Sequence, residues 1–169
     1  MPNAPMLVGG AVSALAPGRF ATAEHLKEVS ALFDAVGGVL TVDESQLDAV
    51  TAVSGSGPAY FFLMVEALVD AAVAAGLPRS VATDLVTQTM AGSAAMLLEQ
   101  LDRTESNGSA QMGSMIDTSA AQLRATVTSP GGTTAAGLRE LERGGLRSAV
   151  ASAVEAAKTR SEQLGITSE

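Results

Sequence analysis

GPAYFFLMVEALVDAAVAA, residues 57–75, is the stretch of sequence that decides the fold. Pro58 suits the first turn of a helix, where its missing N–H costs nothing, and the Gly-Leu-Pro at 76–78 is a strong stop signal. The side chains between these signals are apolar on nearly every face of a helix, and only Glu66 and Asp70 are charged. A helix of this kind is buried on all sides. The pattern therefore favours a helix covered by a partner subunit over the central helix of a monomeric bundle.

Beyond residue 45 the sequence predicts helices almost throughout. Ser80 is a candidate N-cap for the second long helix, and the polar, Gly- and Ser-rich residues 102–118 predict a loop. The predicted helical segments are 46–53, 58–75, 81–101, 134–143 and 146–164.

The first 45 residues have a different character. A weak alternation over 11–16 predicts a short strand, Thr22 is a candidate N-cap for a helix that Gly37-Gly38 ends, and 39–42 predicts a second strand. Strand, helix and strand over so few residues have the size of one β-α-β unit. We therefore expect a mainly α protein, in which residues 1–45 are the tail of a larger α/β domain and residues 46–169 are a helical bundle.

The composition excludes several classes of function. With 18 acidic and 10 basic side chains the net charge is −8, which argues against a nucleic-acid partner because phosphate backbones attract positive surfaces. The absence of cysteine and the single histidine, His25, exclude disulfides and thiolate or polyhistidine metal sites. Glu66 and Asp70 interrupt the best membrane candidate, residues 59–77, and no signal peptide precedes it. We expect a cytoplasmic protein with no membrane, nucleic-acid or metal partner.

Two stretches could carry chemistry. Ser54-Gly55-Ser56-Gly57-Pro58 predicts a tight loop before a helix, where glycines allow close approach of a ligand or another helix. The favoured alternative is a helix start that needs unusual backbone angles.

The second stretch is Val127-Thr128-Ser129-Pro130-Gly131-Gly132-Thr133-Thr134, directly before a predicted helix. Free N–H groups and the positive end of the helix dipole suit a small carboxylate or phosphate there. Ser129, Thr133 and Thr134 add three hydroxyls. The alternative is an elaborate helix cap, which needs fewer small and hydroxylated residues than this stretch has.

These residues resemble a known family. The segments that carry the resemblance are MPNAP at 1–5 with Val8-Gly9, DAVTAVSGSGPAY at 48–60, GLPR at 76–79, and VTSPGGTT at 127–134 with Ala136-Gly137-Leu138. Together they are similar to pyrroline-5-carboxylate reductases over essentially the whole chain, and the SPGGTT block is highly specific. Only the 102–118 loop departs from the family, because it is longer than usual.

The resemblance implies an oxidoreductase that transfers a hydride from NADPH or NADH to the C=N bond of 1-pyrroline-5-carboxylate. The product is L-proline, and the reaction is the last step of proline biosynthesis. Family members combine an N-terminal Rossmann domain with a C-terminal helical domain that interlocks two subunits, and their dimers often assemble into decamers. The resemblance therefore implies a homodimer, with the substrate site by its interface.

The resemblance also implies roles for individual residues. The Thr134 hydroxyl would lie close to the ring nitrogen and take the catalytic role. The other residues implied to bind substrate are Ser129, Gly131, Gly132 and Thr133, which would hold the carboxylate with the backbone of Thr134, and the acids Glu44 and Asp117. Asn3 and Thr126 match positions that approach the cofactor. In the structural alternative, Glu44 begins a helix and Asp117 is a solvated loop charge.

One departure from the family bears on activity. The Gly-rich phosphate loop and most Rossmann strands precede the matched region in the family and are missing from these 169 residues. We therefore expect the chain by itself to dimerise and not to catalyse reduction efficiently. The rival hypothesis is a non-catalytic helical oligomerisation module. A related hydroxy-acid dehydrogenase is less favoured, because Lys27 and Lys158 lie outside any site-like motif.

Overall fold

The computed structural model describes residues 1–106 and 119–166. Its regular elements are the strands β1 (Ala11–Leu15) and β2 (Gly37–Thr41) and the helices α1 (Ala23–Asp34), α2 (Leu47–Val50), α3 (Gly57–Ala74), α4 (Arg79–Ser106), α5 (Ser119–Thr126), α6 (Thr133–Arg143) and α7 (Leu146–Ile166). The chain divides into two compact units, one of Met1–Leu63 with Arg147–Glu169 and one of Met64–Leu146. The mainly helical fold with a short β-α-β segment confirms the predicted fold class.

The β-α-β segment forms as its local signals predict. The Thr22 hydroxyl accepts a hydrogen bond from the His25 N–H at 3.2 Å, and the His25 Nδ1 accepts one from the Thr22 N–H at 3.3 Å. This reciprocal cap fixes the start of α1. The two strands are parallel, with Ala11 opposite Gly37 at the first pair of the register. A right-handed crossover through a helix is the usual way to join such strands.

The second strand begins at Gly37, two residues before the predicted start. Gly37 has φ of +149°, and a Cβ there would lie 2.0 Å from the carbonyl oxygen of Ala11. Only glycine allows the two backbones to approach so closely at such an angle. Gly37-Gly38 therefore opens the strand pairing instead of merely ending α1.

We expect Gly37→Ala to lower the free energy of unfolding by about 3 kcal/mol, because it combines backbone strain with a steric clash, each of about 1–3 kcal/mol. The matched control is Gly38→Ala, since a Cβ at Gly38 meets nothing within 4 Å. Urea denaturation of both variants measures the difference. Equal midpoints for the two alanine variants would show that the close approach at Gly37 carries no cost.

The Ser-Gly-Ser-Gly stretch is not the predicted loop. A 3₁₀ turn at Glu44–Gln46, α2 and a π-helical turn at Thr51–Gly55 lead almost continuously into α3. Pro58 accounts for the π turn, because its ring clashes with the carbonyl four residues earlier and it has no N–H to donate. The wider turn is closed by the Ser56 N–H, which donates to the Thr51 carbonyl at 2.9 Å.

This continuous run has membrane-like length. It spans Glu44–Ala74, 31 residues, and its most apolar window has a mean hydropathy of 1.5 with 11% of that window buried inside the chain. By length and composition it is the one segment of the described chain that could cross a membrane. A helix that is covered in an assembly of soluble subunits has the same composition, and Glu66 and Asp70 lie within the run.

The other helices follow the predicted pattern with shifted ends. α4 begins at Arg79, so Ser80 is not its N-cap; the Pro78 carbonyl accepts the Ala82 N–H at 2.9 Å and starts the helix. α4 also continues to Ser106, through the first residues of the predicted loop, and residues 107–118 lie outside the described part. α6 and α7 are separated at Gly144-Gly145, as predicted.

The apolar core of the chain is very small. In the described ranges the buried hydrophobic residues are Ala11, Ala14, Ala52, Val69 and Ala82. Large side chains of α3 lie in solvent instead: Phe61 is 64%, Phe62 65% and Leu63 65% exposed. Monomeric soluble proteins rarely leave contiguous apolar surface uncovered. The chain thus has the surface of a subunit that another molecule covers.

Candidate functional site

A tight turn precedes α6. The Gly132 N–H donates to the Ser129 carbonyl at 3.0 Å and closes the turn. Pro130 occupies its second position, and Gly131 occupies the third with φ of +71°. This combination is a type II turn, which needs glycine at the third position because φ is positive there. The Ser-Pro-Gly-Gly sequence thus has a direct geometric reason.

The turn leaves the N-terminus of α6 open. Gly132 is the N-cap, and its carbonyl accepts the first helical hydrogen bond, from the Ala136 N–H at 3.1 Å. The N–H groups of the first helical turn therefore point out of the helix end. The hydroxyls of Ser129, Thr133 and Thr134 make no hydrogen bond to any other described residue. The helix-cap interpretation of these hydroxyls is wrong for the structure as it stands.

The open helix end can hold a small anion. Ser129, Thr133 and Thr134 are exposed, so a ligand can reach their hydroxyls. Unpaired backbone N–H groups and the helix dipole both favour negative charge at this position. A hydroxyl can donate to one ligand atom and accept from another. The arrangement could therefore bind a carboxylate and place a hydroxyl beside a neighbouring polar atom.

Thr126 lies in the same unit as this turn, at the end of α5. Its hydroxyl donates to the Leu123 carbonyl at 2.7 Å, and the Thr128 hydroxyl donates to the Arg124 carbonyl at 2.6 Å. These bonds satisfy carbonyls at the helix C-terminus. Both hydroxyl oxygens keep lone pairs that can accept from a ligand.

The remaining predicted residues lie outside the compact unit that contains this turn, or outside the described residues. Glu44 and Asn3 belong to the other compact unit, and Asp117 lies outside the described residues. Glu44 is exposed and is the first residue of a 3₁₀ turn. Asp43 and Gln46 cap that turn, with the Asp43 N–H donating to the Gln46 Oε1 at 2.9 Å. Glu44 therefore does begin a helical segment, and its carboxylate has no partner among the described residues.

Asn3 makes contacts that the sequence does not predict. Its Oδ1 accepts from the Val12 N–H at 3.0 Å, and its Nδ2 donates to the Ser54 Oγ at 3.2 Å and the Ser54 carbonyl at 3.4 Å. The close approach predicted at Gly55 is made by the chain itself, since a Cβ there would lie 2.7 Å from the Met1 Cε. The N-terminal segment around Asn3 and the π turn border an open, mainly apolar cleft of about 410 Å³. In the described ranges, no cluster of three or more His, Cys, Asp or Glu side chains could hold a metal ion.

Comparison with known proteins gives a consistent result. A family model for pyrroline-5-carboxylate reductase dimerisation matches residues 44–164. The pyrroline-5-carboxylate reductase of Mycobacterium tuberculosis (strain H37Rv) is 71% identical over 170 residues, which cover 100% of this chain and 58% of that protein. The solved reductase of Coxiella burnetii has a TM-score of 0.83 at 37% identity, covering 97% of this chain and 55% of that one. The solved Plasmodium falciparum pyrroline carboxylate reductase, with NADP bound, has a TM-score of 0.79 at 34% identity. The match covers 98% of this chain and 61% of that one.

Proposed function

Because the chain belongs to the pyrroline-5-carboxylate reductase family, we propose that it supplies the substrate-binding and dimerising part of an NADPH- or NADH-dependent reductase that converts 1-pyrroline-5-carboxylate into L-proline. The chain spans 58% of the length of its mycobacterial relative. The proposed activity therefore belongs to an assembly that also contains a nucleotide-binding part. Residues 1–45 are proposed as the end of that part, and residues 46–169 as the helical domain.

The open N-terminus of α6 is the observation that carries the proposal. The substrate has a carboxylate on its ring, and the N–H groups at Thr133 and Thr134 offer the donors that a carboxylate needs. The turn of Ser129, Gly131 and Gly132 leaves those donors accessible. A ligand anchored there presents its ring to the neighbouring hydroxyls.

Thr134 is proposed to act on the ring nitrogen. An imine accepts a hydride best when its nitrogen is protonated, and reduction places a hydride on the carbon and leaves the nitrogen as an amine. The Thr134 hydroxyl can hydrogen-bond that nitrogen as its protonation and geometry change. The nicotinamide cofactor supplies the hydride when it is bound. The Plasmodium relative was solved with NADP, and we propose the same class of cofactor for this protein.

The remaining assignments rest on the family resemblance. We propose that Glu44 and Asp117 assist substrate binding and that Asn3 and Thr126 approach the cofactor. The exposed side chains of α3 support a homodimer in which two helical domains interlock, and such dimers can assemble further into a decamer. The reaction needs no metal. We propose that the enzyme is cytoplasmic.

A non-catalytic oligomerisation module is the second candidate. Two observations favour it: the 169 residues contain no Gly-rich phosphate loop, and the described part has extensive uncovered apolar surface. This candidate predicts dimerisation without any contribution to catalysis, which separates it from the reductase by experiment.

We expect the purified 169-residue chain to oxidise NADPH negligibly in the presence of pyrroline carboxylate, because nothing in it resembles a pyrophosphate-binding loop. The mycobacterial relative has a part that this chain does not match. A fusion of that part with this chain should catalyse turnover. The rate of NADPH oxidation is measured from the loss of NADPH absorbance. It is compared for this chain alone, the mycobacterial part alone and the fusion. Turnover by the chain alone would reveal an unrecognised cofactor site, and a folded but inactive fusion would favour the oligomerisation module.

A further inference from the structure

The π-helical turn at Thr51–Gly55 leaves a hydrogen-bonding defect in the helical run. In a regular helix, the Ser54 carbonyl would accept from the N–H four residues later. That residue is Pro58, which has no N–H. An unpaired carbonyl away from water costs free energy comparable to a lost hydrogen bond, and Ser54 is only partly accessible. Another donor is therefore needed at this position.

Asn3 supplies that donor from a segment 51 residues away in sequence. Its Nδ2 lies 3.4 Å from the Ser54 carbonyl oxygen and 3.2 Å from the Ser54 Oγ. The opposite end of the same carboxamide accepts from the Val12 N–H at 3.0 Å, inside β1. An amide can bridge an acceptor and a donor in this way because it carries both functions. One side chain thus ties the strand to the π turn.

We propose that Asn3 is a positioning residue, whose carboxamide replaces the N–H that Pro58 lacks and holds the π turn in register with β1. This inference rests on the proposed function, in which β1 belongs to the nucleotide-binding part and the π turn to the helical domain. The bridge then sets how the two parts meet, and it acts on hydride transfer through their alignment. π turns inside helices are frequent at functional positions, which agrees with such a role.

The bridge makes a specific rescue possible. Asn3→Ala removes both ends of the bridge, and Pro58→Ala restores an N–H that can pair with the Ser54 carbonyl. If Asn3 replaces the missing N–H, the double variant Asn3→Ala/Pro58→Ala recovers part of what Asn3→Ala loses. Pro17→Ala is the matched control, because Pro17 is an exposed proline outside the helices and should rescue nothing.

Two measurements test the bridge. In the 169-residue chain we expect Asn3→Ala to lower the Tm by about 2–4 °C, the shift for roughly one net hydrogen bond in a chain of this size. Hydrogen exchange at the Val12 amide should become at least tenfold faster in the same variant. Pro58→Ala, and not Pro17→Ala, should recover at least half of the Tm shift. The bridge is overturned if Asn3→Ala leaves the Tm unchanged, or if Pro58→Ala and Pro17→Ala rescue it equally. This conclusion does not depend on the activity of the protein.

The kinetic arm uses the active fusion. We expect Asn3→Ala to lower kcat about tenfold with the KM for NADPH changed less than twofold, and Pro58→Ala to restore kcat at least threefold. A raised KM for NADPH with unchanged kcat and no rescue would make Asn3 a cofactor ligand only and would overturn the positioning role. If the fusion without substitutions is inactive, that result contradicts the proposed function. The Tm and hydrogen-exchange measurements then decide whether the Asn3 bridge exists.

Discussion

Thr134→Val should lower kcat of the active fusion by about 100-fold, with a much smaller change in the KM for pyrroline carboxylate. If the hydroxyl hydrogen-bonds the ring nitrogen as the hydride arrives, the bond is worth more in the transition state than in the ground state. Loss of a proton-transfer partner costs about 10²-fold or more. Steady-state kinetics measures kcat and KM, and Thr134→Ser should keep most of the activity because it keeps the hydroxyl.

Ser129→Ala is the matched comparison. Its hydroxyl is proposed to contact the carboxylate, which is present in substrate and transition state alike, so the change should act mainly on KM. Melting curves of both variants separate kinetic effects from stability effects. Because neither hydroxyl caps α6, the Tm should stay nearly unchanged, whereas a lost cap would cost about 1 kcal/mol. Normal kcat in a folded Thr134→Val enzyme would reject its catalytic role.

Phe62→Asp should convert the proposed dimer into monomers at micromolar concentration. Phe62 is 65% exposed within one chain and lies in the dimerisation match at 44–164. Burying a phenylalanine is worth about 1.5–3 kcal/mol, and a two-fold axis repeats the loss in each subunit. The dissociation constant should therefore rise by about 10³-fold, as seen by sedimentation velocity over a dilution series.

Leu7→Asp is the control for this experiment. Leu7 is even more exposed, at 89%, and lies outside residues 44–164. Its replacement should leave the dimer intact. A well-folded wild-type monomer at micromolar concentration, or equal effects of the two substitutions, would show that α3 does not form the dimer interface.

Local signals in the sequence predict much of the fold. The Thr22 cap, the division at Gly144-Gly145 and the long apolar helix depend on residues within a turn or two of each other, so a pattern can identify them. The loop predicted at 54–57 is wrong because glycine and serine are typical of loops, whereas Pro58 forces a wider helical turn instead. The sequence pattern predicts the end of α4 too early, because polar residues such as Arg103 and Glu105 favour helices as readily as loops.

The candidate site also has parts that can be predicted from sequence and parts that cannot. The turn at 129–132 can be read from sequence, because proline and glycine have to occupy particular positions in it. The Asn3 bridge could not be predicted, since it joins residues far apart in sequence and depends on where β1 and the π turn lie in space. Glu44 and Thr134 are assigned to a common site by the family resemblance alone, and they belong to different compact units of the chain.

In the proposed dimer, the small core would make protein concentration a variable of stability. Four of the five buried hydrophobic residues in the described ranges are alanines, so association would have to provide much of the free energy that keeps the subunit folded. For such a chain, folding and pairing are one equilibrium. Each tenfold dilution then removes about 1.4 kcal/mol of apparent stability per mole of dimer. Under that proposal, a cell that makes little of this protein would hold it closer to unfolding than one that makes it in abundance.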